Sequence, residues 1–160
     1  MEIKFYKCSV CGNIVCKVED SGMPLTCCGK QMKELTPGST DGAVEKHVPM
    51  CEIIDNHIFV QVGSVKHPME EYHHIEFIGV ETNKGFHIKY LLPAIVPQNY
   101  ESTKCTVDKG PWDDLGASPE DMTSSTKCIQ PIALFKLSEG EKVISAFEYC
   151  NLHGMFKLDL

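Results

Sequence analysis

The sequence contains no arginine: all 15 of its basic side chains are lysines, against 22 acidic ones, which gives a net charge of −7 over 160 residues. Guanidinium groups are the usual means of binding phosphates and guanine edges, so their absence argues against a nucleic-acid partner. An acidic protein also repels anions overall. An anionic substrate would therefore need a local basic group on this protein.

Long apolar runs are absent as well. No run approaches the ~20 residues that a membrane span requires, and residues 1–8 lack the apolar segment of a secretory signal. The composition, 42% hydrophobic and 23% charged, is that of a globular protein. We therefore expect a cytoplasmic protein without a membrane partner.

Short runs rich in Val, Ile, Phe and Tyr follow one another through most of the chain, separated by turn signals such as Asn83-Lys84-Gly85. This pattern predicts an all-β fold, a β-sandwich with little helix. A linker-like stretch at residues 36–42 divides the chain into a domain of residues 1–36 and a domain of residues 37–160. The predicted strands cover residues 51–55, 57–65, 75–80, 86–92, 132–137 and 142–149.

Residues 93–131 do not fit the strand pattern. They hold five prolines among many polar residues and are long for a structureless loop inside a compact domain. We interpret them as an insertion with its own local structure. Cys105 and Cys128 lie within it, either as two free thiols or as a pair that closes the loop under oxidative stress.

The cysteines point to metal binding. Nine cysteines, an odd number, without a signal peptide argue against a disulfide framework. Cys8-x2-Cys11 and the adjacent pair Cys27-Cys28 offer four thiolates from two short loops, a donor set that selects zinc or iron. A purely structural zinc knuckle is the alternative use of the same four residues.

A second candidate site combines imidazoles with one thiolate. The strand period favours His73 over His74, because alternate residues share a face and His73 shares the apolar one. A soft thiolate with imidazoles suits iron, copper or zinc. Five protein donors would leave an octahedral iron one open position for a small molecule. The candidate ligands are His47, His67, His73, Cys150 and His153.

Four motifs, in this order along the chain, resemble the desulfoferrodoxin family, the two-iron superoxide reductases. The resemblance covers nearly the whole chain except residues 93–131, where family members are much shorter. The motifs are Cys8-x2-Cys11 with Cys27-Cys28, Glu45-Lys46-His47-Val48-Pro49, Gly63-Ser64-Val65-x-His67-Pro68-Met69-Glu70-Glu71-x-His73, and Glu148-Tyr149-Cys150-Asn151-Leu152-His153-Gly154.

The resemblance implies two iron centres. A small desulforedoxin-like domain would hold one iron with four cysteines, and an immunoglobulin-like β-sandwich would hold the reactive iron. In that second centre Cys150 would be the axial thiolate, and Glu45 and Lys46 would lie beside the open position. The implied cysteine ligands are Cys8, Cys11, Cys27 and Cys28, and the implied equatorial histidines are His47, His67, His73 and His153.

The resemblance also implies an activity: one-electron reduction of superoxide to hydrogen peroxide by a homodimer that takes electrons from a rubredoxin-like donor. Lys46 would provide the positive field that guides superoxide to the iron, and would help to deliver protons. Glu45 could occupy the sixth position of the ferric iron after peroxide has left. The four-thiolate iron would relay or store an electron.

Three other functions compete with this one. A blue-copper electron carrier is suggested by Cys150, His153 and Met155, but Met155 follows His153 too closely and one upstream histidine would suffice. A zinc-knuckle binding module on an inert sandwich leaves the histidines unexplained. A non-haem iron oxygenase would use two histidines and a carboxylate, which does not accommodate Cys150.

Overall fold

The structure, a computed structural model, describes residues 3–40, 42–91 and 131–160. In these ranges the chain forms β-strands and one four-residue helix, which confirms the predicted all-β fold. No helix among the described residues is long and apolar enough to span a membrane. The predicted insertion, with Cys105 and Cys128, lies outside the described residues except for its last residue, Pro131.

The described part of the chain forms twelve strands and one helix. They are β1 (Lys4–Lys7), β2 (Ile14–Lys17), β3 (Thr26–Cys27), β4 (Lys30–Gln31), β5 (Lys33–Glu34), α1 (Val44–His47), β6 (Pro49–Ile54), β7 (His57–Val62), β8 (Ile75–Thr82), β9 (Gly85–Tyr90), β10 (Ile132–Lys136), β11 (Val143–Cys150) and β12 (Gly154–Asp159).

The first five strands form a small unit, called the knuckle below, that spans residues 3–35. Strands β2, β1 and β5 make one sheet in that order, and β3 and β4 make a separate hairpin. Cys27 pairs with Lys30 across this hairpin. The two residues between them, Cys28 and Gly29, have φ angles of 51° and 72°, as a type I′ turn requires. The turn is tight enough to bring adjacent cysteines to the same loop tip.

The remaining strands form a β-sandwich of two antiparallel sheets, with strand orders β10-β7-β6 and β12-β11-β8-β9. Twelve buried residues, among them Ile58, Val60 and Ile78, make up its main core. Strand β7 ends at Val62 rather than at the predicted residue 65, because Gly63 has a φ of 74° and leaves the extended conformation. Strand β12 and helix α1 were not predicted. The domain boundary at residues 36 and 37 remains a prediction.

The knuckle packs on the outer face of the four-stranded sheet. The ring of Phe5 lies 5.6 Å from the rings of both Phe77 and Phe86. The ammonium of Lys7 donates a 2.6 Å hydrogen bond to the hydroxyl of Tyr149, which is only 2% exposed. Lys7 precedes Cys8 and Tyr149 precedes Cys150, so this contact joins the chain neighbours of one candidate ligand from each site.

A hydrogen-bond network around the carboxylate of Glu141 lies at the end of the sandwich away from Cys150. The register of β8 and β11 pairs Thr82 with Val143 at one end and Ile75 with Cys150 at the other. At the Thr82 end, the carboxylate of Glu141 accepts hydrogen bonds from His87 (2.7 Å), the Ser138 amide (2.8 Å) and the Thr82 hydroxyl (2.7 Å). These three donors, His87 foremost, lower the pKa of Glu141 to about 2.

Candidate metal centres

The four knuckle cysteines converge at the loop tips. Their sulfur atoms all lie within 4.8 Å of one another. The Cys11 and Cys27 sulfurs are 3.6 Å apart, and those of Cys27 and Cys28 are 3.9 Å apart. A tetrahedral site with metal–sulfur bonds of about 2.3 Å has edges of about 3.8 Å. The two separations that involve Cys27 are therefore close to the edges of a regular tetrahedral site.

The electrostatics of this cluster also favour a cation. Backbone amides of Cys11 and Val10 point at the Cys8 sulfur and lower its pKa to about 6. The Cys28 thiol hydrogen bonds to Cys11, which favours its protonated form and raises its pKa to about 12. Four thiolates so close together repel one another, so complete ionisation requires a bound cation. The residues present fit a tetrathiolate metal site.

The second cluster lies at the β8–β11 end of the sandwich nearest Cys150. Helix α1 supplies His47, the segment before β8 supplies His67 and His73, the end of β11 supplies Cys150, and the turn between β11 and β12 supplies His153. One donor atom from each of these residues lies within 4.8 Å of the others. His74 stays outside the cluster and contacts the Glu70 carbonyl instead. The structure thus brings together all five residues that the sequence singled out.

Two of the imidazoles are held in a tautomer that leaves their lone pairs facing each other. Nδ1 of His47 lies 2.8 Å from the carbonyl of Ala43, and Nδ1 of His67 lies 2.6 Å from the carbonyl of Pro68. A carbonyl only accepts, so both Nδ1 atoms carry the proton and both Nε2 atoms carry lone pairs. These Nε2 atoms are 3.1 Å apart in a buried environment. Without a cation between them this contact is repulsive.

The other donors complete the same arrangement. Nδ1 of His153 lies 3.0 Å from Nε2 of His47, 3.2 Å from Nε2 of His73 and 3.7 Å from the Cys150 sulfur. Burial lowers the pKa of His67 to about 4, so its imidazole is neutral at pH 7. Burial likewise raises the pKa of Cys150. In metal sites, a histidine ligand commonly donates its other ring N–H to a backbone carbonyl. His47 and His67 have this arrangement, beside one buried sulfur.

Glu45 and Lys46 immediately precede His47. Glu45 is exposed and Lys46 is half-buried. Burial is the main cause of the lowered pKa values of His47 and His73, and the positive charge of Lys46 contributes to both. The Lys46 ammonium therefore acts electrostatically on both histidines.

The sequence analysis assigned no role to three residues near the cluster. Phe156 stacks on the His47 ring at 4.7 Å between centroids. A Cβ atom on Gly42 would lie 3.0 Å from Cβ of His153 and 3.2 Å from Cε1 of His47, so the glycine leaves room for both ligands. Glu148 is fully buried, and neither of its carboxylate oxygens has a hydrogen-bond partner among the described residues. These contacts arise only when distant parts of the chain pack together, so no pattern in the sequence predicts them.

Comparison with known proteins identifies the family. The desulfoferrodoxin family model matches residues 39–159, and the model of the desulfoferrodoxin N-terminal domain matches residues 1–35. The chain belongs to the desulfoferrodoxin family. Desulfoferrodoxin of Nitratidesulfovibrio vulgaris is 37% identical over 158 residues, covering 99% of this chain and 97% of the relative. That of Desulfarculus baarsii is 36% identical, covering 98% and 96%.

A solved structure agrees with this desulfoferrodoxin fold. The superoxide reductase from Treponema pallidum superposes with a TM-score of 0.65 at 25% identity, covering 99% of this chain and all of that one. Membership of the desulfoferrodoxin family, together with the two donor sets, identifies the cofactors as iron. The sequence prediction of an iron cofactor is confirmed.

Proposed function

We propose that this desulfoferrodoxin is a superoxide reductase that converts superoxide to hydrogen peroxide at the centre formed by four histidines and Cys150. The observation that carries the proposal is the convergence of five donor atoms within 4.8 Å. Five donors leave an octahedral iron one position for a small ligand. The structural similarity to the superoxide reductase from Treponema pallidum supports the same conclusion.

Backbone carbonyls orient two of the proposed histidine ligands, and Cys150 is the sulfur donor of the set. Ala43 and Pro68 carbonyls fix the rings of His47 and His67, so that their Nε2 atoms face the metal. Cys150 would provide a soft anionic donor, and a ligand of this kind would tune the electronics of a bound iron. Iron bound there supplies the single electron that the reaction needs. In the knuckle, the same proposal assigns Cys8, Cys11, Cys27 and Cys28 to the second iron.

Lys46 and Glu45 are the proposed catalytic residues. In a protein of net charge −7, the Lys46 ammonium provides the local positive field that draws superoxide inward. Its Nζ also holds a proton close to the site, and forming hydrogen peroxide from superoxide consumes one electron and two protons. The exposed carboxylate of Glu45 would fill the open position once product has left.

Each turnover uses one electron, so an external donor is required. We assign this role to a rubredoxin-like protein, with the knuckle iron as a relay or store of one electron. A homodimer in the cytoplasm is the expected working form. The insertion at residues 93–131 is proposed to be accessory, because both donor sets are complete without it.

Product stoichiometry tests the function directly. The iron-loaded, reduced protein is exposed to a measured dose of superoxide, and hydrogen peroxide and oxidised iron are counted. A reductase forms one hydrogen peroxide for each superoxide and oxidises one iron. A dismutase would form one for every two superoxides and leave the iron balance unchanged, and a simple electron carrier, blue-copper-like or other, would consume superoxide no faster than buffer.

A charge variant tests the role of Lys46. Lys46→Ala should slow superoxide capture by roughly tenfold and flatten its dependence on ionic strength, because the local field is lost. Lys136→Ala is the matched control: the side chain is exposed on β10, and its strand partner, His57, lies at the end of β7 away from Val62. Equal slowing in both variants would mean that net charge alone matters and would remove Lys46 from the mechanism.

A further inference from the structure

Helix α1 is too short to fix the position of Lys46 on its own. It comprises four residues, and its N-cap residue, Ala43, makes no side-chain capping bond. Helices of this length are unstable in isolation, because nucleation is unfavourable and too few hydrogen bonds form to compensate for it. The position of Lys46 must therefore be set by the elements packed against it.

The exit turn of β7, defined here as residues 62–65, provides this support. Its Gly63 amide donates a 3.1 Å hydrogen bond to the Val48 carbonyl. Its Val65 amide donates a 2.9 Å bond to the Glu45 carbonyl, which also accepts a 3.3 Å bond from the Ser64 hydroxyl. Three bonds thus hold the backbone on both sides of Lys46.

Gly63 lies directly against the Lys46 backbone. A Cβ atom at this position would lie 2.6 Å from the Lys46 carbonyl oxygen, 2.7 Å from its carbonyl carbon and 2.8 Å from its Cα. All three are main-chain atoms, which cannot rotate away as the end of a side chain can. The φ of Gly63 is 74°, and its carbonyl accepts a 3.0 Å bond from the Gln61 side chain. Any side chain larger than hydrogen must displace Lys46.

We propose that Gly63 is a positioning residue for Lys46: the exit turn of β7 acts as a template that fixes the Lys46 backbone, and hence the place of its ammonium at the entrance of the iron site. The sandwich core, through β7, therefore sets the geometry of superoxide entry. The contacts above support the fixed position of the Lys46 backbone, whereas the effect of that position on turnover rests on the proposed function.

The test compares two alanine variants. Gly63 and Gly140 both have left-handed backbones, with φ of 74° and 70°, but a Cβ at Gly140 meets nothing within 4 Å. The intrinsic strain of alanine is therefore similar at both positions, and only Gly63→Ala displaces Lys46. Amide hydrogen exchange of Val65, measured without superoxide, should be at least about tenfold faster in Gly63→Ala and unchanged in Gly140→Ala.

A double-variant cycle separates positioning from general damage. Gly63→Ala should slow superoxide capture by about three- to tenfold and flatten its ionic-strength dependence. In a Lys46→Ala background the same change should alter capture by less than about twofold, because the group being positioned is already gone. Equal slowing in both backgrounds, or unchanged Val65 exchange, would overturn the proposal.

A milder variant covers the case in which Gly63→Ala does not fold. Gln61→Ala removes the bond to the Gly63 carbonyl without adding a clash, and should shift Val65 exchange and capture in the same direction by a smaller factor. No shift in either quantity would also count against the template. If wild-type protein fails to reduce superoxide while Val65 exchange still responds to Gly63→Ala, then the proposed function is wrong and the positioning contact stands.

Discussion

The knuckle and the sandwich hold their metal donors in different ways. In the knuckle, two tight turns bring four cysteines together, and two of them, Cys11 and Cys28, are exposed. In the sandwich, His47 and His153 are 106 residues apart in sequence, yet their ring nitrogens are 3.0 Å apart. The knuckle site is thus a product of local turn geometry, whereas the sandwich site is a product of strand pairing. We therefore expect the fold of the knuckle to depend on its metal, and the sandwich core to fold without its metal.

The largest expected effect comes from exchanging one sulfur for oxygen at each site. Cys150→Ser should abolish the thiolate-to-iron charge-transfer band of the sandwich centre and lower superoxide capture by at least about 100-fold, since even outer-shell changes cost 10–100-fold. Cys28→Ser should remove only the knuckle spectrum and leave capture within about twofold. If Cys28→Ser abolishes capture as well, the two regions do not act separately, and the comparison fails.

Metal removal should unfold the knuckle before the sandwich. The knuckle contributes only Phe5, Cys8 and Met32 to the buried hydrophobic residues, whereas the main sandwich core has twelve. Structural zinc supplies about 10–16 kcal/mol of folding free energy to zinc-finger peptides, and the knuckle metal is expected to stabilise its small unit in the same way. A chelator titration followed by amide exchange should expose Tyr6 in β1 while Ile78 in β8 stays protected. Simultaneous loss of both would show that the sandwich also depends on metal for its fold.

The contact between the regions should have a moderate effect on stability. Tyr149→Phe removes the acceptor of the Lys7 hydrogen bond and keeps the ring, so the free energy of unfolding should fall by about 1–2 kcal/mol. In denaturant unfolding followed by one probe in each region, the midpoints of the two transitions should then lie further apart than in the wild type. Identical stability in wild type and variant would mean that the apolar contacts around Phe5, and not this hydrogen bond, join the two units.

The smallest effect concerns pH and involves Glu141, at the end of β8 and β11 opposite Cys150. The pKa of Glu141 is lowered to about 2 by its hydrogen bonds from His87, Ser138 and Thr82. Its ionised form therefore stabilises the fold above the ordinary carboxyl pKa of about 4.5, and this contribution is lost as pH falls toward 2. Thermal unfolding should show Glu141→Gln destabilised at pH 7, with the difference from wild type shrinking below pH 4.5. A difference that is constant with pH would exclude the carboxylate as its cause.

The contrast between the regions also explains what the sequence could predict. The Cys8-x2-Cys11 and Cys27-Cys28 spacing encodes its own turns, so the knuckle cluster could be inferred from spacing alone. The sandwich set, in contrast, is scattered along the chain: donor chemistry suggested the five residues, and only the family resemblance assigned them their places around one iron. The choice of His73 over His74 came from strand parity, although β8 begins only at Ile75.

Contacts that depend on the packing of distant strands could not be predicted. The end of β7 at Val62 depends on Gly63, whose conformation is required by its contact with Lys46 rather than by its neighbours in sequence. Strand β12 was missed because Gly154–Asp159 is short and contains two charged residues, while its pairing with β11 supplies the stability that its own pattern lacks. Burial of Glu148 gives no sequence signal of any kind.

The separation of the sandwich ligands has a consequence for biosynthesis. Eighty residues separate His73 from His153, and a ribosome adds about 5–20 residues per second. For several seconds the nascent chain therefore carries three imidazoles without their thiolate, and β8 without its partner β11. A three-imidazole set suits zinc or copper as well as iron. We expect correct metallation of this centre to begin only after β11 and β12 have been synthesised, when their hairpin delivers Cys150 and His153 together.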